Sequence, residues 1–473
     1  MDDLQLVGGV VIFALTAILL MWRPGQLNEA VPAGAGGILF LVLGIVSADD
    51  LLNVFHVVSG AAITILSTIV MSIVLDSIGI FRWTAFNIVR YARGSGTKLF
   101  WYLVLLCLLM TLFFNNDGSI LITTPIIIRI VRLLNLKPHQ SVPYLLSGAL
   151  VATACSAPIG VSNLANLIAL NIVGLDLLTY ARYMFVPTMA GIAIMTLLLY
   201  WRFRRAIPRK IIAWDEAGAA PTPPDTRQES SPIQAAKQWI GRPQATRAAF
   251  HPLMPAEEHT PTLNWSRIAI AVGIVLATRI GFFAASDLGI PLEAVGLTGA
   301  ALLIAARWIW LRQTPKDLFR KTPWSILLFA FGIYVIVYGL HNLGLTSALA
   351  EWMGPAVRSG TLAAVALFGL LLTVMSNLMN NLPSVMIGTL AITTFHLDNH
   401  TMQSAYLANI IGSDIGSLIA PFGTLASLLW FHQLRRHRIP FSWGAYLSVT
   451  IWLIPLTLLL CLTGLYVWIE WLV

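Results

Sequence analysis

The segment FFNNDGSILITTPIII, Phe113 to Ile128, sets two amides and a carboxylate (Asn115, Asn116 and Asp117) inside an otherwise apolar run. Where water does not reach, an unpaired polar group is costly. An ionisable residue in a run of this kind marks a functional site by default, once the run is known to lie in a membrane.

The composition places it there. Of 473 residues, 57% are hydrophobic and only 11% charged, against about 25% charged and about 45–50% apolar in soluble domains. The fold class expected is an all-α polytopic membrane protein. Its first apolar run, VGGVVIFALTAILLMW, follows two aspartates instead of a basic region and is long enough to remain as a span. The three cysteines, Cys107, Cys155 and Cys461, form no CxxC pair. Neither a disulfide framework nor a metal site is expected, nor a cofactor. The net charge of +8 reflects basic residues placed by membrane topology, not a nucleic-acid surface.

Residues 202–265 break the apolar pattern with Pro, Ala and charge, as a flexible connector between two membrane halves would. Its His251 and His259 have no ligand-spaced partners and read as solvated.

The halves, 1–201 and 266–473, resemble each other. RGSGTKLFW from Arg93 and FFNNDGS parallel RSGTLAAVA from Arg358 and SNLMNNLPS, and SAPIG from Ser156 parallels IAPFG from Ile419. Three matches in order at a near-constant offset make an internal repeat. The arms around the first amide pair, Leu99–Phe114 and Gly118–Val131, reach roughly 24 and 21 Å, short of a ~30 Å hydrocarbon core. Each half is therefore expected to carry a re-entrant hairpin, near 98–135 and 361–397, although one long kinked helix is an alternative.

Charge placement favours hairpins. The first is flanked by Arg82, Arg90, Arg93 and Lys98 on one side and by Arg129, Arg132 and Lys137 on the other, so both its ends are cytoplasmic. The second has only Arg358 before it and HLDNHTMQ after, so its ends lie outside. Each half then has five crossings. They fall near 5–22, 28–47, 54–79, 143–173 and 182–201, and near 266–286, 290–309, 324–343, 402–433 and 443–470. An odd number of crossings inverts the second half relative to the first, with both termini outside and the connector cytoplasmic. Of 29 Lys and Arg, only Arg182, Arg279 and Arg358 then fall outside or in the outer half of the membrane. Arg279 has two readings, a pair with Asp287 or a side chain reaching to the interface.

Two spans are broken at mid-membrane, 143–173 by Pro158 and Gly160 and 402–433 by Pro421 and Gly423. Such backbone is tolerated only inside protein or beside a cavity, where half-helix ends offer free N–H and C=O groups to a solute. Candidate solute contacts at the two hairpin tips and two breaks are Asn115, Asn116, Ser119, Ser162, Asn163, Asn166, Asn380, Asn381, Ser384, Ser413 and Thr424. Asn116 and Asn381 can equally cap half-helices. Asp117 and Asp414 are candidate proton carriers, each without an acidic counterpart in the other half. Cys155 reads as a small hydrophobe or as a soft-ligand contact. No nucleophile with a base appears, no GxSxG or HExxH, and no histidine lies in the breaks, so an enzyme is not expected.

NNDGSILITTPIII with APIGVSNLANL, and MNNLPSVMIGTLAI with NIIGSDIGSLIAPFGTLASLLWFH, resemble the ArsB-type arsenite efflux permeases of the ion transporter superfamily, over nearly the whole chain apart from the connector. The resemblance implies proton-driven export of trivalent arsenite and antimonite across a bacterial inner membrane, with elevator-like motion of a hairpin-bearing domain. It also implies that a soluble arsenite-stimulated ATPase can be a partner. The superfamily's sodium/proton antiporters and anion/sodium carriers are the alternative. The amide-rich breaks, which hold no arginine, suit an uncharged trihydroxide.

Overall fold

The computed structural model describes residues 3–23, 27–211, 264–395 and 397–471. His251, His259 and most of the connector lie outside the described residues. Among the described residues the regular structure is helical, and nine helices are long and apolar enough to cross a membrane. Large apolar side chains such as Ile38, Ile280 and Ile309 remain on the exterior, as a lipid-facing surface requires.

The first half contains α1 (Asp3–Trp22), α2 (Ala30–Val42), α3 (Ala48–Ile78), α4 (Ile80–Ala92), α5 (Gly96–Phe113), α6 (Asn116–Leu133), α7 (Pro138–Ala154), α8 (Leu164–Val173) and α9 (Leu177–Phe203). The second contains α10 (Trp265–Asp287), α11 (Leu292–Leu311), a short α12 (Lys316–Lys321), α13 (Ser325–Asn342), α14 (Leu345–Val357), α15 (Thr361–Met379), α16 (Asn381–Thr394), α17 (Asn399–Asp414), α18 (Leu425–Arg436) and α19 (Trp443–Trp471). Apart from α12, the second half repeats the element order of the first.

Local chemistry sets the boundaries. Ser47 and Asp50 form a capping box at the start of α3, and Gly79 ends it in the left-handed conformation at φ 92°. The amphipathic helix α4 follows at once, and α14 holds the same place in the second half; neither was anticipated as a separate element. Helices α5 and α6 pack together as a hairpin, as do α15 and α16. The arms α5 and α6 have 18 residues each, longer than the sequence-based arms. Capped by Ser95, α5 begins at Gly96, three residues before the apolar run, which accounts for the extra turn at that end.

Both expected breaks are present. Between α7 and α8 the chain passes through a single 3-10 turn at Gly160–Ser162, and between α17 and α18 through one at Gly416–Ile419. Tyr180 on α9 donates to the Ala157 carbonyl at 2.6 Å, and Tyr446 on α19 to the Leu418 carbonyl at 3.0 Å. These two phenols, at matched places in the last helix of each half, serve carbonyls that the breaks leave unpaired.

The halves interlock. Helix α16 of the second hairpin packs on α8 of the first half, and α18 packs on α6 of the first hairpin. Around them, α2 lies against α13, α3 against α11, and α9 against α19. Glycine allows close backbone approach between helices of the second half: a Cβ on Gly412 in α17 would lie 2.3 Å from the Gly369 carbonyl oxygen of α15. Gly412→Val should therefore lower the melting temperature in detergent, with an overpacking cost of about 1–3 kcal/mol. Gly273→Ala, where a Cβ meets nothing within 4 Å, should leave it unchanged. Equal melting of both variants would refute the close-packed contact.

Candidate functional site

Four half-helices begin at one place. Asn115 caps α6 and accepts from the Gly118 N–H at 2.6 Å; Asn163 caps α8 and accepts from Ala165 at 3.1 Å. Asn380 caps α16, accepting from Leu382 at 3.4 Å, and Thr424 caps α18, accepting from Ser427 at 3.0 Å. Each cap satisfies one of the donors that a helix start leaves free. A cavity of about 20 Å³ lies between these starts, with room for about one water-sized group. Its wall includes the first residues of all four half-helices, namely Asn116 and Asp117, Leu164 and Ala165, Asn381 and Leu382, and Leu425. Asn163 and Asn380 complete the polar lining, and Ile326 and Phe329 of α13 close it with apolar surface. Each helix start carries roughly half a positive charge, so the cavity favours oxygen-rich groups.

The two carboxylates are placed differently. Asp117 is half-buried and lines the cavity, and its Oδ1 has no hydrogen-bond partner among the described residues. Asp414, 1% exposed, ends α17 behind the cavity wall. Its Oδ1 accepts from Asn163 Nδ2 at 2.7 Å; its Oδ2 accepts from Asn166 Nδ2 at 2.7 Å and from Ser156 Oγ at 2.9 Å. All three donors come from the broken helix of the other half. Asn163 is thereby fixed at both ends of its amide, one on Asp414 and one on its own helix start.

The remaining expected residues are buried around this centre. Asn115 donates from Nδ2 to Thr68 Oγ1 of α3 at 2.9 Å. Ser384 donates to the Asn380 carbonyl at 2.7 Å, while Ser413 reaches the Asn381 carbonyl at 3.5 Å and Ser119 the Cys107 carbonyl at 3.4 Å. Thr424 and the Asn166 Nδ2 are occupied as described, while Ser162 Oγ and Asn166 Oδ1 are buried without a hydrogen-bond partner among the described residues. Cys155 is buried as a free thiol after the last residue of α7, and no group of three His, Cys, Asp or Glu able to hold a metal occurs among the described residues.

Two residues were not read as part of this centre from the sequence. Asn377 on α15 donates to the carbonyls of Thr373 and Gly416 at 2.7 and 2.8 Å and accepts from the Ala420 N–H at 2.7 Å, so it joins the second hairpin to the second break. Its signal was present in SNLMNNLPS, three residues before the amide pair. Arg279 follows neither sequence-based reading. It is 7% exposed, makes no ion pair among the described residues, and donates from Nε to the Phe113 carbonyl and from Nη2 to the Phe114 carbonyl.

The citrate transporter family model, CitMHS, matches residues 17–412. A putative arsenical pump membrane protein of Bacillus subtilis (strain 168) is 45% identical over 461 residues, covering 97% of this chain and 99% of its own. The arsenical pump membrane protein of Escherichia coli (strain K12) is 32% identical over 441 residues, covering 93% and 94%. This chain belongs to the ArsB-type arsenical pump family. The crystal structure of the Alcanivorax borkumensis YdaH transporter aligns over 98% of both chains with a TM-score of 0.49 and 14% identity. The arsenical pump family relatives extend through both hairpins and both breaks, so the converging helix starts lie wholly inside the matched region.

The unequal bonding of the two carboxylates gives a stability test on this arsenical pump family chain. Asp414→Ala strands two buried amide donors, Asn163 Nδ2 and Asn166 Nδ2, each worth about 1–3 kcal/mol when left unpaired, while Ser156 keeps the Thr153 carbonyl at 2.8 Å as acceptor. Asp117→Ala strands none from a neighbouring element. The melting temperature in detergent should fall much further for Asp414→Ala, and equal losses would contradict the caged geometry.

Proposed function

We propose that this chain exports trivalent arsenite and antimonite from the cytoplasm in exchange for protons. The observation that carries the reading is the convergence of four capped half-helix starts on one cavity lined by Asn116, Asp117, Asn163, Asn380 and Asn381, which has to widen beyond its present water-sized volume to admit a trihydroxide. Four such ends contribute roughly two positive charges; Asp117 in the wall and Asp414 behind it contribute two negative ones when ionised. The near-balance suits an uncharged solute. At neutral pH arsenite is a trihydroxide, whose oxygens accept from amides and helix N–H groups while its hydroxyls donate to carbonyl or carboxylate oxygens.

Asp117 supplies the coupling. Ionised, its free Oδ1 accepts from a solute hydroxyl; protonated on Oδ1, that oxygen becomes a donor and loses the charge that favours the solute hydroxyl. Solute and proton then alternate on one group, which is what exchange in opposite directions requires. Asp414 holds Asn163 in the wall through both protonation events at Asp117.

The packing supports an inverted arrangement of the halves, 1–201 and 266–473, joined by a cytoplasmic connector at 202–265. Gly37 of α2 lies beside Gly332 of α13, and Phe40 beside Gly339, so these two helices run parallel. Helices α9 and α19 run antiparallel, with Gly191 beside Cys461 and Pro187 beside Gly464. If both halves began on the same side of the membrane, α2, the second crossing of its half, and α13, the third of its own, would point in opposite directions. Opposite starting sides make them parallel. The basic flanks of the first hairpin then orient the connector to the cytoplasm of a bacterial inner membrane, and the hairpin-bearing part moves in an elevator-like manner against the outer helices.

The test is arsenite accumulation in everted vesicles under an imposed proton gradient. The parent chain should accumulate arsenite only with the gradient, and Asn381→Ala should lower uptake about tenfold or more if it removes a solute contact. Asp117→Asn should lose gradient-driven accumulation. Absence of uptake by the parent, together with sodium-dependent collapse of the gradient, would replace this reading with a sodium/proton antiporter.

A further inference from the structure

Arg279 is a buried cation without a carboxylate. It lies 14 residues into α10, at 7% exposure, with its guanidinium over the Phe282 ring at 5.7 Å from the centroid. Burying an unpaired charge in hydrocarbon is expensive, so its partners identify what the chain gains by it. Those partners are two main-chain carbonyls, Phe113 and Phe114, where α5 stops at the tip of the first hairpin. A helix C-terminus leaves carbonyls unpaired and carries partial negative charge. A forked guanidinium meets both needs, which a lysine's single ammonium would not do in the same geometry.

The arginine is a one-sided addition to a symmetric frame. In α1, Thr16 packs against Gly36 of α2; in α10, Thr278 packs against Gly299 of α11 in the same manner. The next residue is Ala17 in the first half and Arg279 in the second. Both hairpins bond to the broken helix of their own half, the first through Thr111 Oγ1 donating to the Ala152 carbonyl at 2.7 Å, but their tips are tied differently. The second is joined to its own half's break, by Asn377 and by the Asn381 N–H donating to the Gly423 carbonyl at 2.9 Å. The tip of the first is fastened to helices outside the hairpin, to α10 through Arg279 and to α3 through the Asn115–Thr68 bond.

We propose that Arg279 is a positioning residue that latches the tip of the first hairpin onto the α3–α10 wall, and that this latch opens whenever the hairpin moves with its solute. Closed, it fixes the carbonyl end of α5, and through the two-residue link it fixes Asn116 and Asp117 in the cavity wall. Opening it leaves a guanidinium and two carbonyls in search of partners, so the latch adds a barrier to movement. The guanidinium Nη1 is already buried without a hydrogen-bond partner, and the closed state therefore does not satisfy the arginine completely. Among the described residues the second hairpin has no such bond to an outer helix, and in this proposal it travels with its own break. The inference rests on the transport reading only in requiring that the first hairpin move.

Hydrogen–deuterium exchange on the full-length purified protein tests the latch without any transported solute. Peptides covering 110–120 and 376–386 report the two hairpin tips, in the parent, Arg279→Lys and Arg279→Gln. Loss of two charge-assisted bonds should raise exchange at the first tip by about tenfold or more, leaving the second tip and the melting temperature near the parent's. Arg279→Lys should fall between the parent and Arg279→Gln. In vesicles, Arg279→Gln should shift the maximal rate of arsenite uptake about threefold or more while KM stays within about twofold. Unchanged exchange at the first tip would overturn the proposal. So would parallel loss of protection at both tips with a lower melting temperature, which identifies a general structural role. An unaltered maximal rate in a parent-competent assay would overturn the claim that the latch opens during transport. If the parent does not carry arsenite, the exchange experiment still decides whether the latch exists.

Discussion

Unwound backbone at membrane depth has to find hydrogen-bond partners without water, and the rest of this structure is arranged around that requirement. Four helices begin in the middle of the protein. Their first N–H groups are met by Asn115, Asn163, Asn380 and Thr424, the carbonyls left by the breaks by Tyr180, Tyr446 and Asn377, and those at the first hairpin tip by Arg279. Once those obligations are filled, the groups left facing the cavity are few. The lining of the cavity is what remains of the capping chemistry.

The same requirement accounts for the interlocked halves. A half-helix cannot bury its end alone, and each hairpin's second arm packs on the broken helix of the other half. Asp414 is the polar counterpart of that exchange: a residue of the second half accepts three bonds from the first. Its carboxylate therefore couples the two breaks mechanically, while Asp117, only half-buried, remains open to the cavity. Two acids that the sequence treats alike are divided by their surroundings into a fixed brace and a free acceptor.

Symmetry provides the frame, and three ionisable residues depart from it. The threonine–glycine contacts, the paired tyrosines and the paired breaks recur in both halves. Asp117, Asp414 and Arg279 do not. Each of the three is ionisable, and each meets or faces a helix end or break at the centre. A symmetric scaffold with asymmetric charges can hold two orientations of similar energy and still respond to a proton on one side.

The sequence by itself determined the class of the molecule. Low charge, apolar runs of fixed length, a repeat at constant offset and polar residues bracketing Pro and Gly are properties of composition and local spacing, and they placed the hairpins and breaks within a few residues. They also marked the asparagines and aspartates around the cavity, but not the many buried serines and threonines, such as Thr68, Thr111 and Thr373, that bond within or between helices. Orientation toward the cavity was not legible, since capping and solute contact demand the same side chains. Nor was the fate of Arg279, whose partners lie 166 and 165 residues away and are main-chain atoms with no sequence signature. Only the tertiary structure decided which donors meet which acceptors. Those pairs form across the interface between halves, and there the bonding depends on how the helices pack.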